Sequence, residues 1–66
     1  MQFLRGSKVT VYTDGGTFDF SKSVITNDPD ADCLGVREGN EYILFNGKHV
    51  ICVQIEDPEE VKDEEV

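Results

Sequence analysis

Between Lys8 and Ser21 apolar and polar residues alternate with a period of two, the pattern of a half-buried β-strand. Asp14-Gly15 interrupts the alternation with turn chemistry, so the stretch predicts a hairpin. In that register Val9 faces Phe20, Val11 faces Phe18, Thr10 faces Asp19 and Tyr12 faces Thr17. One face is then wholly apolar and the other mostly polar. A slip of one residue would mix them, so the pattern itself specifies the pairing.

The second half predicts three strands, Cys33–Glu38, Glu41–Phe45 and Lys48–Ile55. The apolar runs around Tyr42–Phe45 and Val50–Ile55 flank Asn46-Gly47, the strongest short-range hairpin signal, because a type I′ turn needs positive φ at both central positions. Gly39-Asn40 makes the other turn, at the cost of placing Glu38 opposite Glu41. Counting out from these turns gives a meander with two faces. One carries Leu34, Val36, Ile43, Phe45, Val50 and Cys52; the other carries Arg37, Tyr42, Leu44, His49, Ile51, Val53 and Ile55, with Gly35 leaving a gap beside Leu44.

The remaining stretches read as connections. Residues 1–7 form a lead-in broken by Gly6-Ser7; Ser21–Ile25 continues or bends the second strand; Thr26–Asp32 is a loop of turn formers, a proline and acids. Asp57 can cap, and Pro58 can start, a short helix through Val61, unless like-charge repulsion frays it. The expected architecture is all-β: a five-stranded antiparallel meander or small open β-barrel over residues 1–55, then an acidic C-terminal tail, 56–66, expected to be disordered.

Charge sharpens the division. Glu56, Asp57, Glu59, Glu60, Asp63, Glu64 and Glu65 stand against Lys62 alone, so the tail carries −6 of the net −8 and the other 55 residues carry −2. Such a block repels itself and stays solvated. At 66 residues the chain is one small domain, burying about 60% of the surface its unfolded form exposes, and domains of this size often gain stability from disulfides, a metal or self-association. Cys33 and Cys52 lack CxxC spacing and lie on opposite faces of the expected meander. They read as small buried hydrophobes without a bridge between them. No secretory apolar region opens the chain and no apolar run approaches the ~18 residues of a membrane span, which leaves a cytoplasmic protein as the expectation.

Little catalytic chemistry is legible. Asp28-x-Asp30-x-Asp32 has the alternate carboxylates of a calcium loop, but Cys33 and Gly39 occupy the places where an EF-hand needs Gly and Glu, so no metal is expected. His49, the only histidine, has Leu44 and Lys48 for neighbours in the expected register, and neither orients an imidazole for base catalysis. Gly15-Gly16 is turn chemistry, not a phosphate cradle, and no cofactor is expected. Tyr12, Tyr42 and His49 could stack bases beside Lys8, Lys22, Arg37 and Lys48, yet an acidic chain lacks the positive excess that counterion release requires. The segment Phe45-Asn46-Gly47-Lys48-His49-Val50-Ile51 resembles the second motif of the Sm-like barrels: an apolar residue, a basic residue, Gly and a β-branched pair. That resemblance implies a ring-forming, RNA-binding barrel, although Asn46 stands at the basic position and no amino-terminal helix is read; the Asn-Gly hairpin accounts for the same letters.

Both faces of the meander are apolar, whereas an antiparallel sheet needs only one. The first hairpin can cover a single face. Either the sheet curls and covers the other, or the face bearing Arg37, Tyr42, Leu44, His49, Ile51 and Val53 is an interaction surface. The expectation is therefore a non-enzymatic protein-interaction or assembly module, self-associating or docking to a partner protein through that face or a free strand edge. The alternative is a small acidic inhibitor of viral or mobile-element origin, such as a phage protein, whose carboxylates imitate nucleic acid in the basic site of a nucleic-acid-processing enzyme. An RNA- or DNA-binding barrel comes third, disfavoured by charge.

Overall fold

Alternation along the first third of the chain is realised as a long hairpin. The computed structural model describes residues 2–28 and 30–61. Its strands are β1 (Gln2–Thr13), β2 (Gly16–Asp28), β3 (Cys33–Glu38), β4 (Glu41–Asn46), β5 (Val50–Glu56) and β6 (Glu59–Glu60), with one 3-10 turn at Gly47–His49. Among the described residues all pairings are antiparallel, in the order β4-β3-β2-β1-β5, with β6 also on β1; β4 and β5 lie at the two ends and do not pair with each other, so the sheet is open.

The β1–β2 register is the expected one, with Val9 opposite Phe20, Val11 opposite Phe18, Thr10 opposite Asp19 and Tyr12 opposite Thr17. Its turn is closed by Thr13, whose Oγ1 donates to the Gly16 carbonyl at 2.7 Å and accepts from Gly15 N–H at 3.2 Å. The hairpin runs further than the alternation indicated. Residues 2–7 are strand, not lead-in, and pair as far as Gln2 opposite Asn27, so Thr26–Asp28 is strand rather than loop.

The break at Gly6-Ser7 is a fold line across the sheet. Val9 and Val11 are buried on one side of it, Gly6 on the other; Phe20 is buried on one side, Ser23 and Ile25 on the other. The step from Val9 to Gly6, and from Phe20 to Ser23, is three residues instead of two. Lys22 absorbs the bend with φ +39°, and Asp57 does so between β5 and β6 with φ +52°. A Cβ at Gly6 would lie 2.5 Å from Ile55 Cγ2 and 3.2 Å from the Glu56 carbonyl oxygen, so any larger residue must displace the Ile55 side chain where the strands close up. Buried Ser23 satisfies its hydroxyl on the Ser21 carbonyl at 2.9 Å.

β3 and β4 also take the expected register, from Leu34 opposite Phe45 to Glu38 opposite Glu41. Gly39 takes the positive φ (+60°) that the two-residue turn needs. The Glu38 carboxylate accepts Ser21 N–H at 2.6 Å, which engages one member of the like-charge pair.

The Asn46-Gly47 hairpin does not form. Asn46 is extended (φ −69°, ψ 122°), and its side-chain oxygen accepts Lys48 N–H at 3.0 Å, capping the 3-10 turn. Gly47 N–H donates to the Asp32 carbonyl at 2.9 Å, and the His49 carbonyl accepts Asp14 N–H at 3.0 Å. The turn is thus tied to two other loops and carries the chain across the end of the sheet. β5 lands beside β1, with Val53 opposite Val11 and Ile55 opposite Val9, and a register shift beyond Tyr12 brings Val50 opposite Thr13. The expected three-stranded meander of the second half is therefore a two-stranded hairpin plus a crossing strand. Burial explains the preference: a local hairpin would leave one edge of β1 bare, whereas the crossing adds Val50, Val53 and Ile55 to the core of Val9, Val11, Phe20, Ile25, Leu34 and Val36. Phe45 joins the same core, edge-on to Phe18 (5.3 Å between ring centres) and Phe20 (6.2 Å).

The acidic segment is folded as far as Val61. Glu56 ends β5, and β6 continues its register on β1, pairing Glu59 with Arg5 and Glu60 with Leu4. The short helix that Pro58 could start does not form; the segment is this strand instead. Val61 donates its N–H to the Phe3 carbonyl at 3.0 Å and is buried. Disorder is therefore not the state of Glu56, Asp57, Glu59 and Glu60; Asp63, Glu64 and Glu65 lie outside the described residues. Cys33 is half-buried and Cys52 exposed, so the second is no core hydrophobe, and both are free thiols.

Candidate interaction edge

The β4 strand has one hydrogen-bonded neighbour, β3, among the described residues. Four consecutive positions, Glu41–Leu44, are exposed, and three of them are large and apolar: Tyr42 at 54%, Ile43 at 37% and Leu44 at 61%. Alternating side chains point to opposite faces, so both faces of this strand present exposed apolar surface, although Phe45 on the Ile43 face packs against the core. Natural edge strands are commonly protected by lysine, proline or a bulge. Between Glu41 and Asn46 the only charge is Glu41, at the turn end.

Tyr42 folds its phenol over Gly35, where any Cβ would collide with it, so the gap at Gly35 is filled by Tyr42. Leu44 borders a shallow hollow of about 450 Å³ shared with Ala31, Cys33, Phe45 and Lys48. A second cleft, about 360 Å³, opens into the core between Leu4, Ile25, Leu34, Val50, Val53 and Ile55.

The six residues expected on one apolar face are divided by the crossing. Arg37 and Tyr42 remain cross-strand neighbours, with Leu44 beside them on β4. Ile51, exposed at 70%, lies at the other end of the sheet on β5. Val53 packs against the core and leaves the set. His49 sits in the 3-10 turn, its Nδ1 2.8 Å from Asp14 Oδ2, with both side chains more than half exposed. Asp14 was not legible as a partner because a hairpin at Asn46-Gly47 holds His49 away from the first turn. Ile43 was missed for a similar reason: counted as core-facing, it becomes accessible only because β4 ends the sheet.

The solvent-exposed His49–Asp14 pair clamps the 3-10 turn to the turn of the first hairpin. Among the described residues no group of three or more His, Cys, Asp or Glu side chains could hold a metal ion. The Asp28 side chain of the calcium-like spacing lies outside them. No helix among the described residues is long and apolar enough to cross a membrane. Glu56, Asp57, Glu59 and Glu60 are exposed in succession along the β5–β6 edge. The chain matches no protein-family model, no curated protein and no solved structure.

Proposed function

We propose that this chain is a small non-enzymatic interaction module that self-associates through the free edge of β4. The observation that carries the reading is the run Tyr42-Ile43-Leu44, apolar and exposed on both faces of a strand whose outer backbone groups have no neighbour among the described residues. An edge of this kind gains main-chain hydrogen bonds and apolar burial by adding a strand. The working location is the cytoplasm, where Cys33 and Cys52 stay reduced. Solution mass measured by light scattering at 50 mM and 500 mM salt tests the proposal. A multiple of the 7.4 kDa chain that survives high salt supports apolar self-association, and a monomer at both salts overturns it.

A second reading draws on the acidic edge. Glu56, Asp57, Glu59 and Glu60 are held in line by a folded strand pair, which favours the proposal of an acidic inhibitor occupying a basic nucleic-acid site. Replacing Glu59 and Glu60 by Gln should weaken and desalt-sensitise binding to a basic column or enzyme; unchanged salt-dependent retention would sink that reading.

A further inference from the structure

We infer that self-association, as proposed above, pairs β4 with β4 of a second copy about a two-fold axis that passes through Leu44. The inference rests on the edge reading and adds its register.

Backbone direction limits the choices first. In the Gly39-Asn40 turn Glu41 N–H faces the Glu38 carbonyl, so Glu41, Ile43 and Phe45 direct their backbone groups to β3, while Tyr42, Leu44 and Asn46 direct theirs to the free side. An antiparallel partner must set these outward residues opposite one another. With two identical strands, the compatible registers place Tyr42, Ile43, Leu44 or Phe45 on the axis.

Side-chain chemistry then selects one. With Leu44 on the axis, Leu44 meets Leu44 on the outer face, Ile43 meets Phe45 on the inner face and Tyr42 meets Asn46. Glu41 falls beyond the strand, at the second copy's 3-10 turn, where Lys48 stands. With Ile43 on the axis, Glu41 is driven opposite Phe45, a charge against an aromatic of the core. With Tyr42 on the axis, Glu41 meets Ile43, and Leu44 loses its partner to the Gly39-Asn40 turn. With Phe45 on the axis, Ile43 meets Gly47 and the outer face pairs Leu44 with Asn46. The Ile43 axis also sets apolar against apolar, Tyr42 with Leu44 and Ile43 with Ile43, but only the Leu44 axis does so on both faces while keeping Glu41 away from Phe45. The same pairing makes the β4 edge self-complementary, as a two-fold interface requires.

A charge exchange at Leu44 tests the axis, read as solution mass. The wild-type chain should be a dimer at high protein concentration. Leu44→Asp and Leu44→Lys, each alone, should halve the mass, because like charges then oppose each other across the axis. Circular dichroism should show both variants folded, since Leu44 is exposed in the single chain. An equimolar mixture of the two variants should regain the dimer mass. Wild-type chain that stays monomeric overturns self-association itself. Dimers that both variants leave intact place the contact elsewhere, and variant monomers that fail to combine move Leu44 off the axis; either result overturns this register alone.

Discussion

His49 Nδ1 lies 2.8 Å from Asp14 Oδ2, and the His49 carbonyl accepts Asp14 N–H at 3.0 Å, although 35 residues separate the two. This double contact pins the 3-10 turn to the first hairpin and marks the point where the chain leaves one end of the sheet for the other. Its side-chain half is solvent-exposed and therefore screened. Asp14→Asn or His49→Ala should cost less than about 1 kcal/mol, with the fold retained and the melting temperature lowered by only a few degrees. Loss of the native spectrum in either variant would show that the clamp is structural.

Val53 and Leu44 should respond in opposite ways to the same substitution. Val53 packs on the core opposite Val11, so Val53→Asp places an unpaired carboxylate among apolar side chains and should unfold the chain at 25 °C, at a cost of about 3 kcal/mol or more. Leu44→Asp should stay folded. Chemical denaturation of the two variants side by side checks both expectations.

Gly47→Ala should be more damaging than Gly6→Ala. At Gly47 a Cβ would come within 2.8 Å of the Asp32 carbonyl oxygen, which is backbone and cannot rotate away. At Gly6 the first obstacle is the Ile55 Cγ2 methyl, a side-chain atom. The first should cost about 2 kcal/mol and the second about 1 kcal/mol, with urea midpoints ordered accordingly.

A chain ending at Asp57 should be less stable than one ending at Val61. The shorter chain loses β6, the Val61 N–H bond to Phe3 and a buried valine. Together these are worth about 2 kcal/mol. Equal melting temperatures would mean that Val61 contributes nothing to the core.

Much of this architecture was legible because it is local. The alternation Lys8–Ser21 set the β1–β2 register, since any slip exchanges the apolar and polar faces, and the Gly39-Asn40 turn set β3 against β4 in the same way. What failed is instructive in one residue pair. Asn46-Gly47 carries the strongest local hairpin signal in the chain, yet it becomes an extended residue and the start of a 3-10 turn. Its preference for positive φ is worth about 1 kcal/mol, whereas the crossing buries Val50, Val53 and Ile55 and supplies β1 with a second neighbour. The candidate edge was half legible: Tyr42, Leu44 and Arg37 kept their shared face, while His49, Ile51 and Val53 were separated from it by that crossing.

By itself the amino-acid sequence determined the all-β class, the period-two faces, the Lys8–Ser21 part of the first hairpin, strands β3 and β4 and the two-residue turns between these hairpin partners, because each follows from side chains a few residues apart. Only the tertiary structure decided that β5 joins β1, that the acidic segment is anchored through Val61 and that β4 is left as an edge. Those outcomes depend on how much apolar surface distant segments cover together, a sum over the whole core that no local pattern contains.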